Sequence, residues 1–233
     1  MIPPHLRLIN NLVHCSSQRL APSIHLARQS FSTSSPQHSK LGRKLLKYSN
    51  DVSILVTPRT PDVSFPTCIN QVVVKGPLGI NTTPIHPFVN ILMPDAPPGA
   101  PKRTLAVSVT DPSDRKQKAQ WGTVRSLIEN AIEGVTEGYT VPIRIVGVGY
   151  RAAVEGANLV LRVGYAHPVI LEIPQGVSTS VPAPQRIMLQ GINLEEITQF
   201  AAKIRRCRKP EPYNQKGIFV GDETIKKKEG KQR

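Results

Sequence analysis

The sequence predicts an α+β protein built from two tandem domains of related fold, each a mainly antiparallel sheet packed on one helix. Three observations lead there. Short alternating or β-branched segments give way to a long apolar stripe at intervals of three and four, and the same order then recurs. The two halves share local wording: "NQVVVKGP" from Asn70 matches "NLVLRVGY" from Asn158, and His-Pro occurs at His86 and His167. No apolar run approaches the roughly 20 residues that span a bilayer, which argues against a helical membrane-spanning segment.

Residues 51–138 form the first domain. "SILVTP" from Ser53 and "NQVVVKGPLG" from Asn70 read as strands, the second ending in a Gly-Pro turn. "HPFVNILMP" continues that sheet. Residues 94–103, "PDAPPGAPKR", hold too much proline to pair inside a sheet and read as an exposed loop. "TLAVSVTD" adds a strand. Past Asp111 the period changes: Trp121, Val124, Ile128, Ala131 and Val135 mark the buried stripe of a helix that ends near Gly138. Asp111, Ser113 and Asp114 offer capping oxygens at its start.

Residues 139–233 repeat the plan. "TVPIRIVGVGYRAAV", "NLVLRVGYAHPVILEIP", "VSTSVP" and "RIMLQG" read as strands or strand pairs. A helix follows from Asn193, with Asn193 and Glu196 as a capping box and Ile197, Phe200, Ala201 and Ile204 on its buried face. Cys207 falls on the apolar side, a buried thiol rather than a ligand. Three widely separated cysteines, without paired spacing, support neither a disulfide framework nor a zinc site.

Residues 1–50 are a different material. They contain no Asp or Glu, and Arg, Lys, His and Ser alternate with scattered apolar residues. This is the composition of a mitochondrial presequence, with cleavage expected between Ala27 and Ser35; a basic tail that binds RNA directly is the rival reading. The whole chain carries a formal charge of +14, and 23 basic against 16 acidic residues leave +7 on residues 51–233. Such an excess favours a polyanionic partner.

Within "VPIRIVGVGYRAAVEG", Gly147, Gly149 and Ala152 have the spacing of a dinucleotide-binding turn. That chemistry needs a helix N-terminus straight after the last small residue. Here Glu155, Gly156, Ala157 and Asn158 make a turn into another alternating strand, so the segment reads as a hairpin. The glycines then permit a bulge or a close approach, leaving Tyr150 and Arg151 exposed at a sheet end. His86 and His167, each followed by proline, suggest turns rather than a metal pair. No catalytic constellation emerges, and no cofactor or metal is expected.

The positive charge concentrates at the C-terminus. Residues 203–233 carry a net +7, as much as the whole of residues 51–233. Pro210, Pro212 and Gly217 read as a semi-rigid extended connector, with Tyr213 available to stack on a base. The basic end suits phosphate contacts.

The segments "KAQWGTVRSLIENAIEGVTEGY", "VGVGYRAAVEGANLVLRVGYAHPV", "GINLEEITQFAAKI" and "RKPEPYNQKGI" resemble large-subunit ribosomal protein six of the bacterial type, over about four fifths of the chain. The resemblance implies two tandem domains of one fold, no catalytic activity, and binding of large-subunit rRNA mainly through the C-terminal domain. It also implies a position where translational GTPases dock, among neighbouring ribosomal proteins; with the leader, it implies a mitochondrial form in the matrix. The family's glycine–tyrosine–arginine turn matches Gly149, Tyr150 and Arg151, its second hairpin Gly164, Tyr165, His167 and Pro168, and its Pro-Glu-Pro-Tyr motif Pro210 to Tyr213. The family's usual Lys-Gly-Lys-Gly is here Asn214, Gln215, Lys216 and Gly217, and an arginine common soon after is Phe219.

The residues expected to touch RNA are therefore Tyr150, Arg151, Tyr165 and His167 on the hairpins, and Arg205, Arg206, Arg208 and Lys209 at the helix end. Tyr213, Lys216, Lys226, Lys227, Lys228 and Lys231 complete the set. Packing across strands explains Tyr150 and Tyr165 almost as well. A non-ribosomal RNA-binding protein and a nicotinamide enzyme are the alternative functions.

Overall fold

Two apolar clusters organise the chain, one drawn from residues 46–135 and one from residues 143–218. The computed structural model describes residues 40–60, 67–94 and 102–230. Most of the expected leader, most of the proline-rich loop and Lys231 lie outside the described residues.

In the N-terminal lobe, β2 (Ser53–Pro58), β3 (Asn70–Lys75) and β4 (Ile80–Ile85) form an antiparallel meander. A second sheet has the order β1-β6-β5, from β1 (Leu46–Ser49), β6 (Lys102–Val109) and β5 (Val89–Leu92). Alternation turns Ile54, Val72, Val74, Leu105 and Val107 inward onto α1 (Arg115–Thr136). The helix answers with Trp121, Val124, Ile128, Ala131 and Val135, the stripe expected from the spacing. Trp121 also donates its indole N–H to the Val107 carbonyl at 2.7 Å, so its one polar group is satisfied inside the core. Asp114 caps the helix by accepting from the Lys116 amide at 3.1 Å.

The C-terminal lobe repeats this arrangement. The meander is β8 (Arg151–Glu155), β9 (Asn158–Arg162) and β10 (Val169–Glu172). The other sheet, in the order β11-β12-β7-β13, uses β11 (Val177–Ala183), β12 (Arg186–Gly191), β7 (Tyr139–Val146) and β13 (Gly217–Val220). Its inner face (Ile143, Ile145, Ile187, Leu189 and Ile218) receives Ile197, Phe200 and Ile204 of α2 (Leu194–Cys207). Asn193 caps α2 by accepting from the Glu195 amide at 3.0 Å, and its side-chain amide donates to Glu196. Glu196 thus reaches the Asn193 side chain, where a capping box would return to its backbone.

Lobe correspondence corrects the strand reading. Asn70 and Asn158 each begin the middle strand of a meander, and β1–β6–β5 corresponds to β7–β12–β11, with β13 added. "HPFVNILMP" therefore continues the second sheet, not the one holding β3. β1 falls inside residues 1–50, so the compositional boundary at residue 50 leaves a whole paired strand on the leader side. Leu46 and Tyr48 are core residues, and Gly42 lies against the Trp121 ring. Arg125, only 2% exposed, donates to the Lys44 carbonyl at 3.0 Å and holds Glu129 in a two-bond ion pair.

The lobes meet at a close helix-to-strand junction. A Cβ on Gly134 would lie 2.1 Å from the Ile192 carbonyl oxygen. Tyr139 donates its hydroxyl to Asn130 at 3.0 Å across the junction, and a Cβ on Gly79 would lie 2.7 Å from the Ile192 side chain. Burial, with Glu133 beside it, pushes the Tyr139 phenol up to about 12.

Candidate nucleic-acid interface

The glycine-rich turn after β7 leads into strand β8, not into a helix, so no helix N-terminus is available to bind a pyrophosphate there. The glycines make room for Tyr150 instead. A Cβ on Gly147 would lie 2.5 Å from its ring, and one on Gly164 would lie 3.0 Å away. Gly149 and Gly164 also sit at φ values of +74° and +80°. Tyr150 is consequently buried, at 9% exposure, against the expectation that it stands free at a sheet end. Arg151, the next residue, is exposed as expected.

Tyr165 remains half exposed, but it is not a free stacking platform. Its hydroxyl donates to the Cys207 carbonyl at 3.0 Å, satisfying an orphan acceptor at the end of α2. The Arg208 guanidinium lies over its ring at 5.5 Å, and His167 stacks beside it at 6.3 Å. Residues from two distant sequence segments thus converge where α2 ends. Cys207 is half buried there; burial pushes its thiol up, and it donates to the Lys203 carbonyl at 3.4 Å.

The four cations at this helix end have different roles. Arg205 is bound through two hydrogen bonds to Glu223, one of 2.8 Å from its Nε, and is therefore a strut to the C-terminal segment rather than a free phosphate ligand. The Arg205 hydrogen bond holds the Glu223 carboxyl below the ordinary range. Arg208 is committed to Tyr165, while Arg206 and Lys209 point into solvent.

The segment after Pro210 is not an extended connector. The Glu211 amide donates to the Lys216 carbonyl at 2.9 Å and closes a loop, after which β13 pairs antiparallel with β7. This strand escaped the sequence reading because Ile218, Phe219 and Val220 stand between charged and glycine-rich neighbours. The chain then folds back: the Lys228 amide donates to Pro212 at 3.1 Å, and Gln215 donates to Ile225 at 3.3 Å. Half-exposed Tyr213 and exposed Lys216, Lys226, Lys227 and Lys228 therefore belong to one folded corner.

The departures from the resembled pattern also acquire a setting. Gln215 has φ +56°, a left-handed conformation that glycine adopts without strain. Phe219 is buried on the sheet face opposite α2, with the Arg144 guanidinium 5.4 Å from its ring centre. Arg144, Arg162 and Arg186 were missed as candidates: no run or motif marks them, and only strand register brings them together with other cations. Among the described residues there is no cluster of three or more potential metal ligands and no helix long and apolar enough to cross a membrane.

A family model described as "Ribosomal protein L6" matches residues 146–221, from the end of β7 to just past β13. "Large ribosomal subunit protein uL6" of Carboxydothermus hydrogenoformans is 42% identical over 194 residues, covering 83% of this chain and 96% of that protein. "Large ribosomal subunit protein uL6m" of Neurospora crassa is 39% identical over 219 residues, covering 88% of this chain and 84% of its own length. The Thermus thermophilus uL6 protein is 37% identical over 194 residues. With near-complete coverage of such relatives and a sheet-on-helix fold in both lobes, the chain belongs to the ribosomal protein L6 family, structural non-enzymatic proteins of the large ribosomal subunit.

Proposed function

We propose that this protein is a structural constituent of the mitochondrial large ribosomal subunit, in the matrix, and binds large-subunit rRNA through its C-terminal lobe beside the docking region of translational GTPases. The observation that carries the RNA-binding part is the corner where Arg206, Lys209, Lys216 and Lys226–Lys228 are all exposed and Tyr213 is half exposed. Cations on a folded, hydrogen-bonded loop present phosphate contacts without the ordering cost of a free tail. The acid-free leader and the likeness to the Neurospora uL6m protein support the mitochondrial setting. Neighbouring mitochondrial ribosomal proteins would complete the surroundings.

The test is sedimentation of a mitochondrial lysate from cells expressing the tagged chain, through sucrose at rising salt, followed by crosslinking to RNA. Co-migration with the large subunit through moderate salt, with crosslinks to its rRNA in the region where translational GTPases dock, is the expected result. Migration as free protein at every salt concentration overturns the ribosomal reading. Binding to RNA without co-migration favours a non-ribosomal RNA-binding protein.

A further inference from the structure

Between Tyr139 and Gly191 the chain has four basic residues, all arginines, and two acids, Glu155 and Glu172. Strand register sorts these six charges by sign. Arg144 lies opposite Arg186 across β7 and β12, and Arg151 lies opposite Arg162 across β8 and β9. Both acids instead have Asn158 as their partner. No arginine has a carboxylate as its cross-strand partner; Glu155 lines the same hollow as Arg151 and Arg162, and Glu223 the same hollow as Arg144, but neither forms an ion pair with them. Among the described residues the side-chain ion pairs are Arg125–Glu129 and Arg205–Glu223, and neither uses these four arginines.

Such an arrangement is unfavourable in the free protein. Directly opposed residues on one sheet face have Cβ atoms about 4.5–5.5 Å apart, and like charges there repel. All four side chains are exposed, on the faces turned away from the lobe core. The pairs also border one turn: Arg144 precedes Gly147 by three residues, and Arg151 follows Tyr150 directly. Hydrogen bonds donated by the Ala152 amide to the Pro184 carbonyl and by the Ile145 amide to the Gln185 carbonyl, each 2.8 Å, bring the start of β12 to the same turn. Val148, 91% exposed, caps the turn. A solvated face of a basic protein would scatter its arginines; this one concentrates them in opposed pairs.

We propose that the pairs Arg144/Arg186 and Arg151/Arg162 are two phosphate clamps that carry RNA-backbone binding beyond the folded basic corner, which Arg144 borders, onto the outer faces of the C-terminal lobe's two sheets. A phosphate between two guanidinium groups removes their repulsion and accepts planar, directional hydrogen bonds from both. Arg144, resting on the Phe219 ring, is held ready for such a contact. This inference rests on the RNA-binding reading and adds residues and a surface to it.

The test titrates the full chain with a transcript of the mitochondrial large-subunit rRNA at several salt concentrations. Three variants are compared: Arg144→Gln with Arg186→Gln, Arg151→Gln with Arg162→Gln, and the triple change of Lys226, Lys227 and Lys228 to Gln. Each arginine-pair variant is expected to weaken binding and to reduce the slope of log affinity against log salt by about 2. It should also melt about 1–3 °C higher than the parent in the absence of RNA, because repulsion is relieved. This rise separates a lost contact from a damaged fold. If the parent binds and the lysine variant weakens, but both arginine-pair variants keep the parent's affinity and slope, the clamps are refuted and the RNA reading stands. If the parent does not bind at all, the RNA reading itself falls. Unchanged RNA binding with failure to join the large subunit would overturn the clamps in favour of an acidic protein partner for the same arginines.

Discussion

Single residues show how one motif can carry two chemistries. Gly147 and Gly149 have dinucleotide spacing, yet Gly147 makes room for the Tyr150 ring and Gly149 supplies the positive φ of the turn. The deciding feature is the strand that follows, and it was readable from Gly156 and the alternation after it. Arg205 teaches the opposite lesson. As a letter it was one cation among several, and only the structure shows it bound to Glu223. That pair has a pH signature. The Glu223 carboxyl is lowered by Arg205, so its folded value lies below its unfolded one. Its stabilisation is complete above the unfolded value and is lost as pH falls through the folded value. Hydrogen-exchange protection over residues 221–228 should therefore drop on acidification below about pH 4. Glu223→Gln should lower it already at neutral pH, by less than about 1 kcal/mol because the pair is partly exposed. Protection that stays unchanged in the variant would remove the strut from the account.

At the scale of elements, the two helices were the most legible parts. Their stripes, caps and ends follow from local spacing, and the apolar residues expected on each buried face are there, with Arg125 an unexpected addition on α1. The strands that were missed lack a clear local pattern. β1 and β13 have four residues each and lie beside charged or glycine residues, so their alternation is too brief to register locally, while β4, INTTPI, is mostly polar and contains a proline. The stability of the two short strands comes from partners far along the chain: β1 from β6, and β13 from β7. The cost of ignoring β1 is measurable. A chain beginning at Lys40 should exceed one beginning at Asp51 in unfolding free energy by about 3–6 kcal/mol, from losing the buried Leu46 and Tyr48 side chains. Urea denaturation of the two proteins checks this, and equal midpoints would return residues 40–50 to the leader.

On the scale of the whole molecule, the joint between the lobes is set by small residues. Replacing glycine with alanine inside a helix ordinarily favours it by about 0.5–1 kcal/mol. At Gly134 the new methyl would strike the Ile192 carbonyl, so Gly134→Ala should instead destabilise by about 1–3 kcal/mol. Thermal melting together with small-angle scattering would report this as a lower midpoint and a looser particle; an unchanged midpoint would show that the junction yields. The sequence by itself determined the α+β class, both helices, the internal repeat, the failure of the dinucleotide motif and the concentration of positive charge near the C-terminus. Each of these is written in local spacing or composition. Only the tertiary structure decided that β1 belongs to the fold, that Tyr150 is buried, that Arg205 is tied to Glu223, and that four arginines face one another in pairs. Those outcomes depend on register and on contacts between residues far apart in the chain, which no local pattern encodes.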